Sequence, residues 1–369
     1  MPLSLAERLI ETIQREGPVT FHDWMKAALY DPAGGYYRRP DLQRWGREGD
    51  YRTSPERSEL FAATFARYFA KLYVESQQPE DWTIVECGAG NGTFAAGVLQ
   101  ALQDRFPDVF AATRYVVYDV SDDALRRARE RLAGFGDRVE FYSDFELLPA
   151  VRGVFFSNEL LDAFPVHRVT NGPEGLSELY VTVTSEGNFA WTPGPLSTPR
   201  LAEFVGEHSL ELAPGQIVEI NLEIDEWFAR VKSRIRGGFV ITVDYGAESD
   251  ELYDPRRPEG TLRGFAGHGF VDDVLAQPGD HDLTTSVNWT HVKRAGERLG
   301  FELFHFESQD KFLLRAGLVE ELEHRLARMT TESEKLALTT GAREMILPTG
   351  MASSFQVLVQ RRVEVADVA

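Results

Sequence analysis

Apolar residues recur at helical spacing near the start of this chain and then alternate between strand and helix patterns from residue 82 onward. Phe21 to Tyr30 and Ser58 to Glu75 carry them at the period of amphipathic helices. Between the two, Asp31-Pro32-Ala33-Gly34-Gly35 breaks the pattern, and Tyr36, Tyr37, Trp45 and Tyr51 stud a charged loop. Strands are expected over Trp82 to Glu86, Arg114 to Val120 and Val139 to Tyr142, with a fourth ending near Leu161. Helices are expected from Thr93 and over Ala124 to Ala133, where Leu125, Ala128 and Leu132 face one way. Leu176 to Trp191 alternates with period two and breaks at Glu186-Gly187-Asn188, the pattern of a β-hairpin. Leu222 to Arg236, Asn288 to Gly300 and Leu318 to Gly341 read as helices. Phe239 to Val243, Phe301 to Phe306 and Phe355 to Arg361 read as strands. Strands alternating with helices predict an α/β layered sheet.

Four parts follow from this order: a helical N-terminal region (1–75), a nucleotide-binding half of the sheet (76–168), an insertion with the hairpin (169–217) and the second half of the sheet (218–369). The most informative stretch is Trp82 to Thr93, where an apolar run ends in Glu86 and Gly88, Gly90 and Gly92 recur at every second position. Strand, glycine turn and helix in that order form the nucleotide-binding corner of a doubly wound sheet. A dinucleotide fingerprint would carry its third glycine at position 93, where this chain has Thr93. The E-x-G-x-G-x-G pattern instead resembles motif I of class I S-adenosylmethionine (SAM) methyltransferases. In that reading Glu86 meets the cofactor's amino-acid part, and a ligand-free βα turn is the alternative. Asp119, with Val120, ends the second strand where an acid can accept ribose hydroxyls, or serve only as a cap. Asp144, after the third strand, is placed to accept from an adenine amine.

Charge and composition narrow the partners. A formal net charge of −19 argues against a substrate held by its phosphates, so no nucleic acid is expected. The same charge suits a cationic partner, or solubility alone. No apolar run reaches the ~18 residues of a membrane span, so no membrane insertion is expected. Cys87 stands alone and can form no internal disulfide. With no apolar leader segment near Met1, that points to a cytoplasmic protein and to a small buried residue rather than a nucleophile. No His, Cys and Asp grouping has metal spacing, so no metal is expected.

Further stretches carry a resemblance across nearly the whole chain. They are Met25 to Tyr37, Gly49 to Ser58, Ser157 to His167, Val243 to Gly246, Gly260 to His268 and Gln277 to Trp289. Together with the glycine turn they resemble the MidA-type SAM-dependent methyltransferases, relatives of the mitochondrial complex I assembly factor that methylates an arginine of a core subunit. Departures are Cys87 in place of the usual leucine and Ala62 in place of a glycine. The resemblance implies a Rossmann-like, seven-stranded, mostly parallel sheet with an antiparallel last strand. It also implies that Asp50, Thr53 and Ser54 close over the cofactor from the N-terminal side.

Residues at the carboxyl ends of the fourth and fifth strands then become candidates for the chemistry. Asn158 is assigned to the cofactor, Glu159 and Asp162 to catalysis, and Asp244, Tyr245 and His268 to the substrate. Two carboxylates suit a guanidinium, whose planar fork pairs with them and which must shed a proton to react. Glu159 as a helix N-terminal acid and Asp162 as a turn cap are the structural alternatives. The expected function is transfer from SAM, with S-adenosylhomocysteine (SAH) as product, to an arginine of a protein such as a complex I subunit. A small-molecule or carboxyl O-methyltransferase and a non-catalytic SAM-binding assembly factor are the alternatives. The aromatic N-terminal loop and the insertion are candidate contacts for a peptide or for a homodimer.

Overall fold

The computed structural model describes residues 3–42, 59–267, 269–347 and 354–364. They form two compact units, the first made of Arg52–Leu160, Phe228–Tyr245 and Lys293–Ala369, and the second of Met1–Tyr51, Leu161–Trp227 and Gly246–Val292.

The first unit is built on β1 (Trp82–Cys87), β2 (Arg114–Tyr118), β3 (Val139–Tyr142), β4 (Val151–Asn158), β5 (Ile235–Ala247), β6 (Glu302–Ser308) and β7 (Phe355–Arg362). Their order is β6-β7-β5-β4-β1-β2-β3. Neighbours from β3 to β5 pair parallel, and β7 is antiparallel to both β5 and β6. The last two residues of β5 lie in the second unit, where they pair with the two-residue strand Val287–Asn288. This is the sheet the resemblance implies, with the chain reversing direction between β1 and β4. All six residues of β1 are buried, as a parallel strand covered on both faces requires.

Aromatic packing holds one face. Phe156 of β4 stacks on Phe94 at 4.3 Å and meets the edges of Phe65 and Phe69 from the helix Glu59–Glu75. Each such ring contributes about 1.5–3 kcal/mol by leaving water. Backbones approach closely at Gly153 and Gly238. A Cβ on either would lie 1.9 Å from a carbonyl oxygen of the adjacent strand. This is why β4 and β5 carry glycine at these two positions.

One long helix expected over Leu318 to Gly341 is two, Leu318–Leu326 and Glu332–Ile346. Thr331 separates them by taking the Glu334 N–H on its hydroxyl, a local cap that outcompetes helix continuation. A further short helix, Gln309–Ala316, ends at Gly317 in the left-handed region (φ 102°).

In the second unit the expected hairpin forms from Gly175–Val183 and Phe189–Gly194. It belongs to a five-stranded antiparallel sheet with His167–Gly172, Ile217–Ile220 and Val19–Thr20. Val19 pairs with Val181, so a strand from the N-terminal region completes the edge of the inserted hairpin. The core beneath it holds Phe21 and Trp24, with Trp191 5.0 Å from Phe21 and Phe189 6.1 Å from Trp24. The second unit also holds a three-stranded sheet of Arg263–Ala266, Gly269–Phe270 and Asp282–Thr284.

Candidate functional site

At the carboxyl end of β1 the chain turns through Gly88, Gly90 and Gly92 with φ of 72°, 54° and 75°. L-residues with a Cβ avoid this region. Space is short as well: a Cβ on Gly92 would lie 3.0 Å from the Ala128 Cβ and 3.1 Å from its Cα. The turn delivers the chain into the helix Thr93–Arg105. Gly92 is the N-cap of that helix, and ahead of it Asn91 forms an Asx turn, its Oδ1 accepting from the Thr93 N–H at 3.1 Å and hydroxyl at 2.6 Å. The sequence reading passed over Asn91, although an Asn just ahead of a helix start is a recognisable signal.

Glu86 is 5% exposed, and its Oε2 accepts a 2.7 Å hydrogen bond from the hydroxyl of Tyr115 on β2. Burial pushes its carboxyl up to about 8 against the Tyr115 bond, which lowers it, and the negative charge of Asp119 adds to the rise. Cys87, next in the strand, is buried and its thiol is pushed up, which leaves it a packing residue.

Asp119, at the end of β2, ties two turns together. Its Oδ2 accepts from the Gly90 N–H and its Oδ1 from the Ser121 N–H, both at 2.8 Å. Val120, next to it, is half-buried. Asp144 is exposed after β3 and caps a short 3₁₀ turn by accepting from the Glu146 N–H at 2.9 Å.

The ends of β4 and β5 are joined in a similar way. Glu159 sits in the left-handed region at φ 51°, and its N–H donates to the Val243 carbonyl at 2.9 Å. The Asn158 Nδ2 donates to its Oε1 at 3.0 Å. Asp244 has no exposed surface, and its carboxylate accepts from the N–H groups of Leu160 (3.2 Å) and Tyr245 (2.9 Å). Asp244, expected at the substrate, thus links the turn after β4 to strand β5. The Tyr245 ring stands edge-on to Phe355 at 5.5 Å.

Glu86, the three glycines, Asp119, Val120, Asp144, Asn158, Glu159, Asp244 and Tyr245 therefore all belong to the first unit and lie within or just after the carboxyl-terminal parts of its parallel strands. Ligands of open α/β sheets bind at that edge, where strand order reverses. Asp162 belongs to the second unit. It is 4% exposed, and its backbone carbonyl accepts from the Thr285 N–H at 2.9 Å. His167, also there, is held by Glu178 at 2.7 Å and stacks on His22, which makes it a packing histidine. Asp50, Thr53, Ser54 and His268 lie outside the described residues.

Comparison with known proteins follows the same lines. Residues 64–307 match the family described as S-adenosyl-L-methionine-dependent methyltransferases. The mouse protein arginine methyltransferase NDUFAF7, mitochondrial, is 28% identical over 95% of this chain and 83% of its own length. The human protein of the same name is 25% identical over 95% of this chain and 82% of its own. A Burkholderia thailandensis crystal structure bound to S-adenosyl-homocysteine superposes with a TM-score of 0.87 at 29% identity, covering 98% of this chain and 92% of that one. The sheet is thus that of the class I methyltransferases. The relatives also correct one expectation. A cytoplasmic location does not stand against similar proteins that are mitochondrial. Scarce cysteine and acids near Met1, which prompted it, do not separate the two compartments.

Proposed function

The chain belongs to this family of SAM-dependent methyltransferases, and we propose that its acceptor is an arginine of a protein partner. The observation that carries this reading is the alignment, over 95% of the chain, with proteins named protein arginine methyltransferases. A subunit of respiratory complex I is the proposed partner to try first, following the resemblance described above.

Bound SAM supplies an electrophilic methyl group on a sulfonium, and the chain's own residues do the rest. The glycine turn fits such a ligand because three left-handed positions without Cβ let the backbone approach it. In our reading Glu86 takes the cofactor's ammonium, while Asp119 and Val120 hold the ribose. Asp119 is suited to this because two backbone bonds fix its carboxylate before any ligand arrives. Asp144 is assigned to the adenine amine, Asn158 to the cofactor's edge, and Asp50, Thr53 and Ser54 to its N-terminal side. Glu159 is assigned to orient the guanidinium and accept the proton that it loses on methylation. That role is supported by the Asn158 amide on Oε1 and by the turn that fixes its backbone. Asp162 is the second acid of the proposal, and Tyr245 and His268 are assigned to the acceptor protein. In-line displacement needs alignment and a dry polar site more than covalent help.

The test is incubation of the protein with methyl-labelled SAM and a lysate lacking the endogenous enzyme. A discrete labelled protein yielding methylarginine on hydrolysis is expected. Label confined to small molecules, or recovered on carboxylates, would overturn the acceptor.

A further inference from the structure

We propose that Tyr115 is a positioning residue for the cofactor: its hydroxyl fixes the Glu86 carboxylate and sets the pH range in which that group can take a cationic amine. The inference rests on the assignment of Glu86 to the cofactor's ammonium.

The geometry is specific. Tyr115 pairs in register with Ile84 of β1, two residues before Glu86, and Val117 stands opposite Glu86 itself. From that diagonal place, with no exposed surface, Tyr115 reaches Oε2 at 2.7 Å. Among the described residues it is the one side chain that donates to this carboxylate. On the other side Glu86 is in register with Phe156, around which Phe65, Phe69 and Phe94 are packed. Among the described residues, the helices over this face thus bring aromatic rings to it. The titratable groups acting on Glu86 are Tyr115 and Asp119, and Cys87 is its buried neighbour in sequence.

A buried carboxylate with an apolar surround and a nearby like charge favours its neutral form, and one donor opposes that. Burial raises Glu86 to about 8 with the Tyr115 bond in place. Near neutral pH the free protein then carries Glu86 protonated, and binding of a ligand ammonium must expel that proton to solvent. Removing the hydroxyl takes away the group that favours the charged form, so ionisation needs a higher pH. No bond is made or broken in the step beyond transfer of this proton to water or buffer.

The experiment is calorimetric titration of the full chain with SAH across pH 6 to 9, for the wild type, Tyr115→Phe and Glu86→Gln. Wild-type affinity is expected to rise about tenfold per pH unit and to level off near the Glu86 pKa. In Y115F the level-off should move up by about one pH unit, weakening binding at pH 7 by about tenfold with near wild-type affinity above it. E86Q should give a flat profile. A Y115F profile that is superimposable on the wild type, or weaker by one factor at every pH, overturns the proposal while leaving Glu86 at the ammonium. An E86Q profile like the wild type removes Glu86 from the cofactor and overturns both. Unfolding midpoints of the variants check that Y115F, which changes one hydroxyl, stays folded.

Discussion

The turns that end β1 and β4 both require left-handed backbone, and they meet that requirement in opposite ways. After β1 the positions are Gly88, Gly90 and Gly92; after β4 the position is Glu159, at φ 51°. A non-glycine residue there costs about 1–2 kcal/mol. At the first turn side chains are absent, and the backbone itself can lie against a ligand. At the second a carboxylate is kept in spite of the strain, and Asn158 holds it by a hydrogen bond. Strain retained around a polar side chain is a mark of functional positions. Under the proposed function the contrast is between a turn assigned to bind through its backbone and one assigned to present a proton acceptor.

Four substitutions break or sharpen this contrast. Glu159→Gln keeps the shape and removes the proton acceptor. Turnover on the partner protein should fall about 10²–10⁴-fold, with SAH affinity unchanged by calorimetry. Wild-type turnover would make Glu159 a mere turn residue. Asp244→Ala should lower the unfolding free energy in urea by about 2–4 kcal/mol, because the N–H groups of Leu160 and Tyr245 lose their buried acceptor. A loss below about 0.5 kcal/mol would mean that the turn after β4 and the end of β5 hold themselves. Gly92→Ala places a Cβ against helix backbone at Ala128 in a disfavoured φ. It should weaken SAH about tenfold, or about 1.4 kcal/mol, with turnover at saturating SAM largely retained. The smallest effect has the opposite sign. Glu159→Gly should raise stability by up to about 1 kcal/mol while abolishing transfer, since relief of strain slightly exceeds the entropy that glycine adds to the unfolded chain. A loss of stability would show that the Glu159 side chain holds the turn.

The legible and the illegible parts of this site differ for the same reason. Glycine spacing after an apolar run is a local signal that made Glu86, Gly88, Gly90 and Gly92 candidates, as the end of the next apolar run did for Asp119. Glu159 was a candidate too, but its left-handed backbone was not legible, because Asn-Glu-Leu-Leu-Asp reads equally well as the start of a helix. The break at Thr331 is legible in a local cap, Thr-x-x-Glu, inside the run expected as one helix. Val19–Thr20 carried no comparable signal, since two residues show no period and their partner lies in the distant hairpin.

By itself the sequence determined the alternation of strands and helices, the glycine turn and the class of cofactor, all properties of contiguous residues. Tertiary structure alone decided which acids face which donors. Strand register set Tyr115 against Glu86, the return of the chain brought Asp119 to the Gly90 N–H, and the pairing of β4 with β5 brought buried Asp244 to the Leu160 N–H. Each of these pairings joins residues far apart in the chain, and their protonation and reach follow from the burial that only packing creates.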